Sequence, residues 1–459
     1  MLWPRTRSLP IILAALVCLL MLLSQPGSFR AGEPIRVGSA TFGPDGAPTL
    51  WQSASFPIPY TTDNSPLGND TEAATQARVV ALFTEWQNVA TSNISFTRTG
   101  FIVSNATAAT CVTGGAGGDG NVDTVAEYDC IVGAGFPGNP IIYDDLGAIH
   151  DSLFGIGNST LGFAGPLFST AGGGTIIAAR AVFNGKFRDG VPPDSTVSEF
   201  EATILHELGH YIGLGHSQIN NNCLPSQGGC ANFSDDTFGL PTMFPISIGG
   251  LEESPGVAPE RTLAMDDIAW VSRLYPDATF AITHGSISGS AFFSDATTYL
   301  QGVNVIARQV DNGGTPENES RRNAVSGTSG YLYTGNRGLG SGFLFPTAAV
   351  PFNSGSGRGS QSVSLRGTYE IPVPAGVSYN VEVEAINPSF TGGSSVGVLG
   401  KEAGEQFGLP GTAPAAVPVG PVVAGSNSGG NNFTFTGTSA TRDAIDSVAT
   451  NDTPATATH

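Results

Sequence analysis

The chain has 459 residues, 19 basic and 38 acidic, for a formal charge of −19. Only 12% of residues are charged and Lys186 and Lys401 are the only lysines, which excludes the basic face a nucleic-acid binder needs. With 62 glycines and 31 prolines the chain is rich in loops, yet its 40% hydrophobic content is enough to bury cores and argues against wholesale disorder.

Residues 1–30 read as a secretory signal peptide. Arg5 and Arg7 precede an apolar run over 11–23, and the small residues Ser24, Gly27 and Ser28 follow, without a clean A-x-A site. Cys18 follows Val17, too bulky for a lipoprotein signal. An uncleaved anchor is the alternative; either way the chain is expected to be exported, secreted or held at the cell surface. No later run approaches the roughly 18 apolar residues of a span, so no further membrane insertion is expected.

Four cysteines remain beyond the signal, Cys111, Cys130, Cys223 and Cys230. An even number suits an oxidising compartment. Three pairings are open, and proximity favours 111–130 and 223–230; a four-cysteine metal site is the rival, without C-x-x-C spacing to support it.

Residues 36–276 read as a mixed α/β unit. Phe56-Pro-Ile-Pro-Tyr60 is strand-like, and residues 71–90 have helical spacing, with Ala74, Ala77, Val80, Leu82, Phe83 and Trp86 apolar. A strand begins at Ile94-Ser-Phe96, 114–120 is a glycine-rich loop, and 175–183 is again strand-like. From about 280 to 400, short alternating strands such as Gly302-Val-Asn-Val-Ile-Ala307 and Gly367-Thr-Tyr-Glu-Ile-Pro-Val373 suit a β-sandwich. Residues 404–459 are rich in Pro, Gly, Ser, Thr and Asn and read as a flexible tail. The expected fold class is α+β, with an all-β sandwich following the α/β unit.

The chemistry is concentrated in His206-Glu-Leu-Gly-His210-Tyr-Ile-Gly213-Leu-Gly-His216-Ser217. Ser198 and Glu201 are spaced as a capping box, with Val197 and Ala202 as a staple, so a helix is expected from 198. Phe200, Ile204, Leu205, Leu208 and Ile212 form its buried stripe. His206 and His210, at i and i+4, stand one turn apart on one face. Glu207 is rotated about 100° from His206, so it can reach a metal-bound water without ligating. Gly213 ends the helix with a left-handed residue, and the reversal returns His216 as a third ligand. Three imidazoles leave one position open, as in a catalytic zinc site. Three of only six histidines fall within these eleven residues; His150, His284 and His459 stand alone.

This segment resembles the extended zinc motif of the metzincins, and Ser217 after the third histidine resembles the matrixin branch, the matrix metalloproteinase-like peptidases. Leu240-Pro-Thr-Met243-Phe-Pro245 is similar to the Met-turn, with Met243 as a floor beneath the histidines. Leu263-Ala-Met-Asp266-Asp267-Ile268 through Leu274-Tyr275-Pro276 is similar to the closing helix, and Ala81-Leu-Phe-Thr-Glu-Trp86 with Ile94-Ser-Phe96 to the first helix and second strand. The resemblance implies a zinc endopeptidase: one Zn2+ held by His206, His210 and His216, and Glu207 as general base toward a zinc-activated water. Its substrates would be proteins or peptides, paired with an edge strand whose counterpart is Leu161-Gly-Phe163-Ala164. Ala202 falls where the family places a residue shaping the S1′ pocket, and its small side chain would leave room for an apolar P1′ residue.

The chain departs from that pattern in lacking a second, histidine-rich zinc site between Cys111 and Gly174 and a cysteine-switch propeptide. Calcium is a second candidate cofactor: Asp119-Gly-Asn121-Val-Asp123 alternates oxygen ligands, although Thr124 stands where an EF-hand takes Gly and an ordinary acidic loop competes. The second unit resembles the carboxypeptidase-regulatory-like β-sandwich, typically a spacer. The competing functional class is an exported adhesion or surface-display protein that keeps a protease fold without turnover.

Overall fold

The computed structural model describes residues 34–35, 48–104, 111, 120–133, 138–169, 174–217, 219–220, 233–249, 252–300, 303–330, 367–385, 409 and 411–437. The signal segment, Asp119, Cys223, Cys230 and His459 lie outside them. Helices and strands mix in an α+β arrangement with three sheets. No helix among the described residues is long and apolar enough to cross a membrane.

The first sheet has five strands, β1 (Ile58–Thr62), β2 (Phe96–Phe101), β3 (Pro140–Asp144), β4 (Gly162–Ser169) and β5 (Ile176–Asn184), in the order β2-β1-β3-β5-β4. All neighbours pair in parallel except β4, which runs antiparallel to β5 at the edge, with Ala164 opposite Ala181. Both faces of the central strands are covered, so β3 is buried at every position and reads as a continuous apolar run rather than an alternation. On one face lies a cluster with Ile142, Val182, Ile149 and Tyr128, reached by helices α2 (Val125–Gly133) and α3 (Ala148–Phe154). Helices α1 (Glu72–Gln87) and α4 (Val197–Tyr211) pack into the core that also holds Tyr143, Ala181 and Phe183.

Helix α1 is capped by Thr71, whose hydroxyl accepts from the Ala74 amide. It buries Thr75, Val79, Leu82, Phe83 and Trp86, whereas Ala74, Ala77 and Val80 face outward. The helix forms where the spacing placed it; small apolar residues are tolerated in water, and the bulky Phe83 and Trp86 decide which face turns in. Cys111 and Cys130 are disulfide-bonded across a sequence separation of 19, tethering α2.

The second unit comprises two four-stranded sheets. One orders β11 (Val417–Val419), β10 (Tyr379–Ala385), β7 (Val303–Gln309) and β8 (Ala324–Thr328) by antiparallel pairing. The other places β6 (His284–Phe292) between β9 (Thr368–Pro374) and two short segments, β12 (Asn427–Ser428) and β13 (Phe433–Thr434). Part of the expected flexible tail is thus structured: residues 417–435 add strands to both sheets and bury Val419, Val422, Phe433 and Phe435. Widely spaced apolar residues in a Pro- and Gly-rich segment can still fill a core when neighbouring strands satisfy the backbone.

The two units share one hydrophobic core, in which Trp270 and Leu274 of α5 (Met265–Leu274) join Ile287, Val305, Val325 and Ile371. The Trp270 indole donates to the Ser326 carbonyl at 2.9 Å, the Ser326 amide donates to Asp266 Oδ1 at 2.7 Å, and Arg273 pairs with Glu370 at 3.0 Å. The second unit is docked, not strung on a linker.

Candidate metal centre

Helix α4 begins two residues before the expected frame. Thr196 is the N-cap and Glu199 completes the capping box, with bonds of 3.2 and 2.7 Å. Ser198 and Glu201 are engaged elsewhere: the Ser198 hydroxyl accepts from the Ala258 amide at 2.8 Å, and Glu201 binds Arg78 and Arg261. Val197 is exposed, so it forms no staple with Ala202. Two overlapping S/T-x-x-E frames compete here, and tertiary partners choose between them. The expected stripe of Phe200, Ile204, Leu205, Leu208 and Ile212 is buried throughout.

The helix ends at Tyr211, and Gly213 takes φ +97 as the sequence requires. The Leu214 amide returns to the Gly209 carbonyl at 2.9 Å, and the chain turns His216 toward the helix. The Nε2 atoms of His206, His210 and His216 stand 3.0, 3.1 and 3.0 Å from one another. No other group of three or more His, Cys, Asp or Glu among the described residues is placed to hold an ion.

The protons on these rings follow from their partners. His206 Nδ1 lies 2.7 Å from the Thr242 carbonyl and His210 Nδ1 lies 2.8 Å from the Leu214 carbonyl. A carbonyl only accepts, so each Nδ1 carries the hydrogen and each Nε2 of a neutral ring presents a lone pair. Burial holds the pKa of His206 down to about 4 and that of His210 to about 3, and that of His216 well below its ordinary value; mutual repulsion adds to the effect in the last two. Lone pairs converging at 3.0 Å repel unless a cation lies among them. Nitrogens 2.0–2.1 Å from a tetrahedral zinc stand about 3.3 Å apart, close to the spacing here. The donor set therefore fits a divalent ion, and the carbonyls that orient the imidazoles supply the outer support such sites use.

Glu207 lies between the helix and β4. A Cβ on Gly162 would sit 3.1 Å from its Cγ, so glycine there admits the carboxylate. One oxygen is bonded by the backbone amide of Ala164; the other, Oε2, is buried without a hydrogen-bond partner. Burial pushes the Glu207 carboxyl up to about 8, opposed by the Arg180 charge and the Ala164 amide. A buried carboxylate oxygen with no donor is poised to take one from a ligand.

Met243 is buried against the helix from below. A methyl on Gly209 would fall deep inside the radius of the Met243 sulfur and 3.1 Å from Trp86 Cζ2, so only glycine permits the thioether to lie this close to the helix. The turn is held by Asp267, a residue whose role the sequence did not reveal. Its carboxylate accepts from Thr242 at 2.8 Å, Met243 at 3.0 Å and Ala264 at 2.8 Å. The Met243 carbonyl in turn accepts from the Ser217 amide at 2.9 Å. A cavity of about 10 Å3, the room of one water, lies behind His216 and is lined by Met243, Asp267 and Trp270.

Of the expected substrate-contact residues, Leu161, Phe163 and Ala164 do fall on or beside the edge strand β4. Phe163, however, turns its ring away from α4 and packs on His150, Phe154, Tyr128 and the Arg180 guanidinium. Ala202 is buried one turn before His206. His150 is not solitary: it is buried with Nδ1 2.7 Å from Asp144 Oδ2. In the candidate calcium loop, Asp123 and Thr124 donate backbone amides to Glu127, as the start of α2 requires. Compared with known proteins, the chain matches no protein-family model, and no curated protein matches it significantly.

Proposed function

We propose that the chain is an exported zinc-dependent metalloendopeptidase that hydrolyses peptide bonds of extracellular proteins. The observation that carries this reading is the convergence of three imidazole Nε2 atoms, two of them in rings whose Nδ1 faces a carbonyl, beside the partly unsatisfied carboxylate of Glu207. The resemblance to the metzincin motif, matrixin branch, and to a β-sandwich after it supports the same reading. Bound zinc would supply a Lewis acid and lower the pKa of water toward about 7. His206, His210 and His216 would hold the ion, with Nδ1 of the first two anchored by carbonyls. Glu207 takes the proton from the attacking water through Oε2 and returns it to the leaving amine, held meanwhile by the Ala164 amide. The edge strand β4 offers backbone groups along which an extended peptide can lie.

The test combines zinc analysis of purified protein with casein or gelatin hydrolysis, with and without a chelator and alongside Glu207→Ala. Stoichiometric zinc, chelator-sensitive cleavage and loss of at least a hundredfold in the alanine variant are expected. Zinc with equal clearing by both proteins would instead favour the adhesion or surface-display reading.

A further inference from the structure

The third histidine differs from the other two in what holds it. His206 and His210 ride on a buried helix, whereas His216 is carried by a loop whose continuation is gripped by the second unit. Ser217, Ile219 and Asn220 are all buried. Ile219 packs against Ile306 of β7 and Ala324. Asn220 sits in the left-handed region at φ +57 and commits its whole amide. Its Nδ2 donates to the carbonyls of Asp236 at 3.1 Å and Arg321 at 3.2 Å, and its Oδ1 accepts from Arg308 Nη1 at 3.0 Å. Arg308, itself buried on β7, is oriented by ion pairs with Glu382 and Glu384 of β10. Strand β7 thus uses one face, Val303, Val305 and Ala307, for the shared core and the other, Ile306 and Arg308, for the segment that follows the third histidine.

We propose that the second unit is a positioning element of the metal centre, with Asn220 and Arg308 as positioning residues that hold the His216 loop in its ligating conformation. This rests on the metal-centre reading above and assigns the β unit a role other than that of a spacer. Ordering the loop before an ion arrives removes a conformational cost that binding would otherwise have to meet. The clamp lies four residues from the ligand, so it acts on His216 through the course of the chain that Asn220 fixes.

The experiment uses the full chain and three variants. Asn220→Gly keeps the positive φ accessible and deletes all three amide bonds. Arg308→Lys keeps the charge toward Glu382 and Glu384 but loses the planar fork that reaches Asn220. Arg273→Ala, which breaks the separate Arg273–Glu370 pair between the units, is the control. Zinc affinity is measured by competition with a chromophoric chelator, and coordination by the visible absorption of the cobalt-substituted protein. Asn220→Gly and Arg308→Lys are expected to raise the zinc Kd by tenfold or more and to weaken the intense bands of a tetrahedral site, with Arg273→Ala unchanged. If Asn220→Gly does not fold, Arg308→Lys decides the matter. Wild-type zinc affinity in the clamp variants overturns the proposal and leaves the metal centre standing, as does an equal loss in Arg273→Ala. Absence of stoichiometric zinc from the unaltered chain overturns both.

Discussion

Gly209→Ala is the sharpest probe of how the floor of the site is built. In an isolated helix this change is favourable, by about 1 kcal/mol. Here the new methyl would overlap the Met243 sulfur and stand 3.1 Å from both Met243 Cε and Trp86 Cζ2. Neither neighbour can yield freely. Trp86 is fully buried and donates to the Leu205 carbonyl at 3.0 Å, and the Met243 backbone is fixed by Asp267 and Ser217. Overpacking of a filled core costs roughly 1–3 kcal/mol, and three simultaneous contacts place this site at the upper end. The net expectation is a loss of about 2 kcal/mol, read from urea unfolding of the metal-free protein. Displacement of the turn also shifts the Thr242 carbonyl that orients His206, so the zinc Kd should rise about tenfold. In a Met243→Ala background the overlap with sulfur is gone and only the 3.1 Å approach to Trp86 remains, so Gly209→Ala should cost clearly less than in wild type. Equal destabilisation in both backgrounds, or a more stable single variant, would refute the packing argument.

Four further outcomes are expected. Burial pushes the Asp63 carboxyl up to about 7, above its unfolded value of 3.8, so its ionisation costs stability that is absent below about pH 4 and complete above about pH 7. Unfolding free energies of Asp63→Asn should therefore show a less negative slope with pH than wild type across that window; the buried histidines contribute the opposite sign equally to both proteins, and identical slopes would contradict the assignment. Cys130→Ser opens the loop to Cys111 and should lower stability by about 3 kcal/mol, a difference that disappears when both proteins are measured under reductant. Trp270→Phe strands the buried Ser326 carbonyl at a cost of about 1–3 kcal/mol. Because the core is continuous, the described units should still melt in one transition; two resolved transitions in wild type would count against a shared core.

Much of the site could be read from the chain because its logic is local. The i, i+4 spacing of His206 and His210, the buried stripe of α4 and the left-handed Gly213 all follow from helix geometry between Phe200 and Gly213. What escaped was decided at long range. Thr196 displaced Ser198 as cap because Ala258 claims the Ser198 hydroxyl, from 60 residues away. Asp267 holds a turn 24 residues upstream, and Arg308 reaches Asn220 across 88 residues; no periodicity announces either pairing. The inward face of α1 was left open by the spacing alone, since alanines and Val80 carry part of it but too little area to determine which side turns in. Composition misled in the tail, where Val419, Phe433 and Phe435 lie among polar neighbours yet complete two sheets.

Strand β7 has no solvent side: six of its seven positions are buried, some against its own sheets and some beneath the histidine loop. A fragment cut near residue 276 would expose Ile219 and strip Asn220 of its Arg308 donor and Arg321 acceptor, while the remainder would present Ile306 and the bare Arg321 carbonyl to water. Exchange of either half as a cassette, the usual fate of modules joined by tethers, would thus carry a penalty on both sides of the seam, and heritable change in one half would be constrained by the other.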